Sequence, residues 1–149
     1  MLRTLLATSN DYALGLARFV MGIVFFAHGA QKMLGWFGGL GFSGTISLFA
    51  KLGVPTFVAL FAIFVEFFGG LGLLAGLLSR VAALGILVEM IGAVLTVHLR
   101  NGFFMNWAGN QKGEGFEYHL LTIALAFLIV VRGAGAFSLD SLASSGKSE

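Results

Sequence analysis

The chain has no cysteine, a single proline and few charges: only 11% of its 149 residues are Asp, Glu, Lys or Arg. That is about half the share found in globular proteins. The missing cysteines exclude disulfides, thiolate metal sites, iron–sulfur ligation and thiol redox chemistry by this chain. A net charge of +2 with no basic run gives no support to a nucleic-acid partner. What is present is apolar surface: 58% hydrophobic residues, 22 glycines and a mean hydropathy of +0.94. A sphere this small cannot hide so much apolar surface from water. The solvent implied is lipid.

Four apolar segments, at about 12–34, 56–78, 81–99 and 116–132, each approach the ~20 residues that span a ~30 Å hydrocarbon core. Their backbone must be helical, because lipid offers no hydrogen-bond partner. The expected fold is all-α, a single-domain integral membrane four-helix bundle covering 1–149, with two long loops on one side. "SND" at 9–11 suits a helix N-cap. "AHGA" at 27–30 resembles a signal-peptidase site only faintly, since Asp11 and Arg18 interrupt the preceding stretch. "LLSRVA" at 77–82 makes spans two and three antiparallel neighbours, and "GTISLFAKLG" at 44–53 suits a short interfacial helix ahead of Pro55. "SSGKSE" reads as a terminal tail. Lys and Arg divide evenly between the two sides, counting Arg3 and Lys147 with the termini, so the positive-inside rule does not orient the chain. Gly72 and Gly76 form a small-xxx-small pair suited to close helix contact. "GIVFFAH" (22–28) and "GAVLTVH" (92–98) repeat glycine, valine and histidine at one spacing.

The polar residues inside the spans are the functional candidates, because intramembrane charge should face the bundle interior. With His28, Thr56, His98 and His119 taken as level with the long-loop face, Arg18 lies ~15 Å below, as does Glu66, and Glu89 ~13 Å below. These three would form one midplane layer. Either Arg18 pairs with one glutamate and the other holds a proton, or the glutamates share a proton; the layer then serves as a proton relay or as a structural ion cluster. Above it, His28, His98 and His119 could flank a quinone headgroup, ligate haem or a metal, or simply satisfy interfacial hydrogen bonds. No metal-ligand spacing supports haem or a metal strongly. Glu89 and His98 are nine residues apart and would share a cavity only if a bulge or helix end intervened.

His28 and Lys32 lie on one face of the first helix. Lys32 is expected to lift its ammonium toward the headgroups, and His28 to face inward against a quinone-like ring. Trp36, Phe37, Phe103, Phe104 and Trp107 suit an interfacial aromatic belt or a lid over such a ring. The candidate catalytic set is therefore Arg18, Glu66, Glu89 and His98. The candidate cofactor-binding set is His28, Lys32, Trp36, Phe103, Trp107 and His119.

Arg18, "HGAQK" (28–32), "GWFGG" (35–39), "EFFGGLGLLAGLLSR" (66–80), "EMIGAV" (89–94), "VHLRNGFF" (97–104), Glu117 and "GAGAFSLD" (133–140) together resemble the DoxX family of bacterial membrane proteins. The resemblance implies a four-helix protein of the cytoplasmic (inner) membrane. It also implies an association with quinone-linked redox chemistry, including thiosulfate:quinone oxidoreductase subunits that work with a second chain. The implied role is a membrane subunit that binds a quinone and relays protons or electrons. The alternatives are a non-catalytic scaffold for a redox enzyme and a small-solute transporter. The expected partners are the bilayer and a soluble or membrane redox subunit, with a homo-oligomer as a further option.

Overall fold

A computed structural model describes residues 5–145, and all regular structure within them is helical. Arg3, Lys147 and the last four residues of the "SSGKSE" tail lie outside the described residues. Helix α1 spans Tyr12–Leu34, α2 Gly41–Lys51, α3 Thr56–Ala75, α4 Ser79–Asn101, α5 Glu117–Arg132 and α6 Leu139–Ser145. By length and apolar composition α1, α3 and α4 can each cross a membrane. The 16 residues of α5 reach ~24 Å, shorter than the ~30 Å hydrocarbon core.

The four long helices run alternately up and down. Helix α1 packs on α3, α3 on α4 and α4 on α5, with α5 touching α1. Asp11 caps α1 by accepting a hydrogen bond from Leu14 N at 3.0 Å, as "SND" suggests. Pro55 sits one position ahead of α3, extended at ψ 141°, rather than inside its first turn.

Glycines bring α1 and α3 together, but not the expected pair. A side chain on Gly29 would strike the Phe67 backbone, and one on Gly70 the Phe26 backbone; at Gly22 it would lie 2.8 Å from Leu74 N. Gly76 instead ends α3 in a left-handed turn (φ 64°), a conformation a Cβ disfavours, and Gly72 faces Leu77 O of that same turn. Helix α3 thus stops at Ala75 rather than 78, and α4 starts two residues earlier than expected and ends two later.

The contacts of α1 with α3 also fix their heights. Gly29 is level with Phe67, not His28 with Thr56, so the first turns of α3 rise past the end of α1. They do so because α2 occupies that space. Thr45 Oγ1 of α2 donates to Lys32 O at 3.3 Å, and the Phe42 and Phe64 rings lie 6.4 Å apart. The "GxVxxxH" repeat has no structural counterpart: Gly22 is pressed against α3, whereas Gly92 faces open space.

Two π-helical turns interrupt the ladder, at Val65–Gly69 in α3 and Val94–His98 in α4. Such turns insert one residue and rotate everything beyond them. The core of Leu14, Met21, Phe25, Leu73, Ile86 and Ile129 fills the half of the bundle nearer the termini.

Candidate functional site

Arg18 and the glutamates do not share a layer. Arg18 is 2% exposed and donates only to backbone carbonyls. Its Nε meets Ala134 O at 2.7 Å, Nη1 meets Leu73 O and Leu74 O, and Nη2 meets Ala136 O at 3.2 Å and Phe137 O at 2.9 Å. These acceptors belong to the end of α3 and to the 133–137 segment after α5. Asp140, 1% exposed, supplies the nearby negative charge. It also caps α4, accepting from Leu78 N at 2.8 Å and Ser79 N at 2.9 Å. Arg18 and Asp140 are therefore a structural latch at the terminus end. The expected pairing of Arg18 with a glutamate fails because the helix ends are offset, which sets Glu66 level with the upper turns of α1.

The partner of Glu66 is Lys32. The two form an ion pair with side chains 24% and 8% exposed. Lys32 does not snorkel: it turns inward one turn above the Gly29 contact. Glu89 comes across from α4 as an electrostatic neighbour of Glu66, with Lys32 as the neighbouring positive charge. Glu89 Oε2 is buried and has no hydrogen-bond partner. Glu66 and Glu89 thus neighbour each other and Lys32, without Arg18.

The histidines divide. His98 and His119 stack with ring centroids 4.0 Å apart. The π turn at Val94–His98 is the interruption that lets Glu89 and His98 belong to one inward surface. His98 Nδ1 lies 2.8 Å from Glu114 O, while His119 Nδ1 is buried without a partner. His28, by contrast, is exposed on the outer side of α1. It does not face the bundle interior, because Gly29 beside it takes the inward position.

Tyr118, absent from the sequence candidates, links the two groups. Its electrostatic neighbours are Glu66 and Glu89, and its ring meets that of His119 edge-on at 5.6 Å. The available signal was its i,i+4 spacing to Thr122, itself on the buried stripe of α5. The two tryptophans do not close over the carboxyl cluster. Trp36 packs on Phe26 at 6.3 Å, and Trp107 is 87% exposed. Trp107 Nε1 donates to Glu117 Oε1 at 3.3 Å, and Met105 N donates to that same oxygen at 2.8 Å. Glu117 thereby pins the loop. Beside His98 an open cleft of about 910 Å³ runs between Arg100, Phe103, Phe104, Lys112 and Glu114. Among the described residues no group of three His, Asp or Glu side chains is placed to hold a metal.

The family model that matches the chain is DoxX, over residues 13–99, which include Arg18, Lys32, Glu66, Glu89 and His98. The chain belongs to the DoxX family. Similar DoxX-type relatives span nearly the whole chain. "Putative oxidoreductase CatD" of Bacillus subtilis (strain 168) is 32% identical over 132 residues, 89% of this chain and 87% of that protein. "Inner membrane protein YqjF" of Escherichia coli (strain K12) is 32% identical over 133 residues, 89% and 93% of the two chains. "Uncharacterized membrane protein Rv3486" of Mycobacterium tuberculosis (strain ATCC 25618 / H37Rv) is 38% identical over 130 residues, 83% and 76%. No solved structure matches. This DoxX protein is an all-helical integral protein of the bacterial cytoplasmic membrane, in contact with lipid.

Proposed function

We propose that this protein is a membrane subunit of a quinone-linked oxidoreductase, with the Lys32–Glu66–Glu89 cluster as the site that holds and delivers protons to a quinone headgroup. One observation carries the reading: a lysine and two carboxyl groups from three helices meet inside the bundle. Charges there are costly and mark ligand or proton sites. The cluster suits a quinone, whose carbonyl oxygens need donors. Lys32 offers an ammonium, a protonated carboxyl offers an O–H, and Glu89 Oε2 has coordination to spare. When bound, a quinone supplies an acceptor for two electrons and two protons. In this reading the side chains of this cysteine-free chain contribute protons and a partner supplies the electrons. The oxidoreductase name of the Bacillus subtilis relative agrees with that class of reaction.

Lipid extraction and mass spectrometry of the purified protein should recover a quinone. In titrations followed by tryptophan quenching, Glu89→Gln should weaken quinone binding at least tenfold, ~1.4 kcal/mol. His28→Ala should change it little. No quinone in the extract, together with equal weak affinity in wild type and Glu89→Gln, would refute the reading and leave a scaffold for a redox enzyme.

A further inference from the structure

The carboxyl pair is buried, so any proton it delivers must be replaced from water, and the two halves of the bundle differ in what they offer. Toward the termini, every helix presents apolar side chains beneath the pair: Met21 and Phe25, Leu73, Ile86, Ala126 and Ile129. Beyond them the donors of Arg18 are committed to backbone carbonyls. Among the described residues no titratable group in that half is a charged neighbour of Glu89. Toward the loops the surroundings are polar. Tyr118 has Glu66 and Glu89 as electrostatic neighbours and touches His119. His119 stacks on His98, and His98 opens into the cleft between Arg100 and Lys112. The groups facing the carboxyl pair are thus Lys32 of α1 and Tyr118 of α5, and His119 and His98 continue the line from α5 and α4.

We propose that Glu66 and Glu89 exchange protons with the aqueous phase on the loop face, along Tyr118, His119 and His98, and not with the face that carries the termini. The inference rests on the proton-holding role proposed above and gives it a direction. In each event one proton enters at His98 from water and one reaches a carboxylate from Tyr118; no electron moves. The buried, unpartnered Nδ1 of His119 is the intermediate acceptor. The π turn at Val94–His98 acquires a purpose in this path, since it swings His98 onto His119.

The test needs no quinone, so its failure is distinct from failure of the ligand. Protein in nanodiscs is mixed rapidly with heavy water, and the infrared carboxyl carbonyl band abolished by Glu89→Gln is followed as it shifts. Tyr118→Phe keeps the ring that meets His119 and removes only the hydroxyl. It and His119→Leu should each slow the exchange by about a hundredfold, the scale of a positioned proton-transfer group. Sidedness is read in proteoliposomes by a pH step in impermeant buffer on one side, with orientation fixed by labelling Lys112→Cys. The band should respond when the step is on the side of residue 112. Unchanged exchange in both variants, a response from the terminus side, or no carboxyl band assignable to Glu66 or Glu89 would overturn the path. Quinone binding with exchange from the wrong face would remove the path and keep the ligand; one-sided exchange without quinone binding would do the reverse.

Discussion

Arg18 shows how a single buried charge can be read in two ways. A guanidinium has five donors in a planar fork, and here its hydrogen bonds all go to carbonyls that end α3 or follow α5. Arg18→Leu would leave buried acceptors without donors, at roughly 1–3 kcal/mol for each one stranded. The thermal midpoint in detergent should fall sharply. Neither Glu66→Gln nor Glu89→Gln should restore it, and Arg18→Lys should rescue poorly, since an ammonium lacks the fork. Rescue by a glutamate change would show that Arg18 serves the carboxyl layer after all. Lys32 is the opposite case. Lys32→Met should destabilise by ~3 kcal/mol, the lower end of the cost of breaking a buried pair. Adding Glu66→Gln should recover much of that loss in a double-mutant cycle, while additive losses would mean the two side chains do not pair.

At the level of elements, seam glycines and open glycines should respond in opposite directions. Gly29→Val would drive a side chain into the Phe67 backbone, while Gly92→Ala enters open space on a helix. The first should lower the thermal midpoint markedly. The second should raise stability by ~0.5–1 kcal/mol. Similar effects at both sites would contradict the α1–α3 seam. The helices themselves were legible in the sequence, because apolar length alone reports a span, and the N-cap at Asp11 was legible in its side chain. Their relative heights were not. Nothing in residues 35–55 states that α2 will wedge beside α1 and let α3 begin above it, and so Arg18 was placed level with Glu66. The partners of Arg18 were illegible for another reason: backbone carbonyls carry no residue identity. The π turns lack a residue signature too, although the nine-residue gap between Glu89 and His98 posed the problem that one of them solves. A histidine in an apolar run suggests an inward face, but at His28 only the contact of the neighbouring Gly29 decides the rotation.

For the whole molecule, the alternating helices put the start of α1 and the end of α5 on one face and the 102–116 loop on the other. The short α5 bears on this. Its ~24 Å cannot match the hydrocarbon thickness alone, so the chain flanking it must sit at the interface, where aromatic side chains are favoured. Phe103, Phe104 and Trp107 are all exposed there, and Glu117 at the first turn of α5 ties residues 105 and 107 to the helix. The chain has no native cysteine, so single cysteines can be introduced without background. Ser9→Cys and Ser144→Cys should react with an impermeant maleimide from one side of sealed vesicles, and Lys112→Cys from the other. If α5 failed to cross, residue 144 would instead label together with residue 112 and opposite to residue 9. Arg18 would then lose its carbonyl partners at 134–137, and the carboxyl cluster would lose Tyr118 and His119. The labelling pattern therefore tests the crossing of the shortest of the four long helices, and with it the wall of the bundle on which the proposed proton path is built.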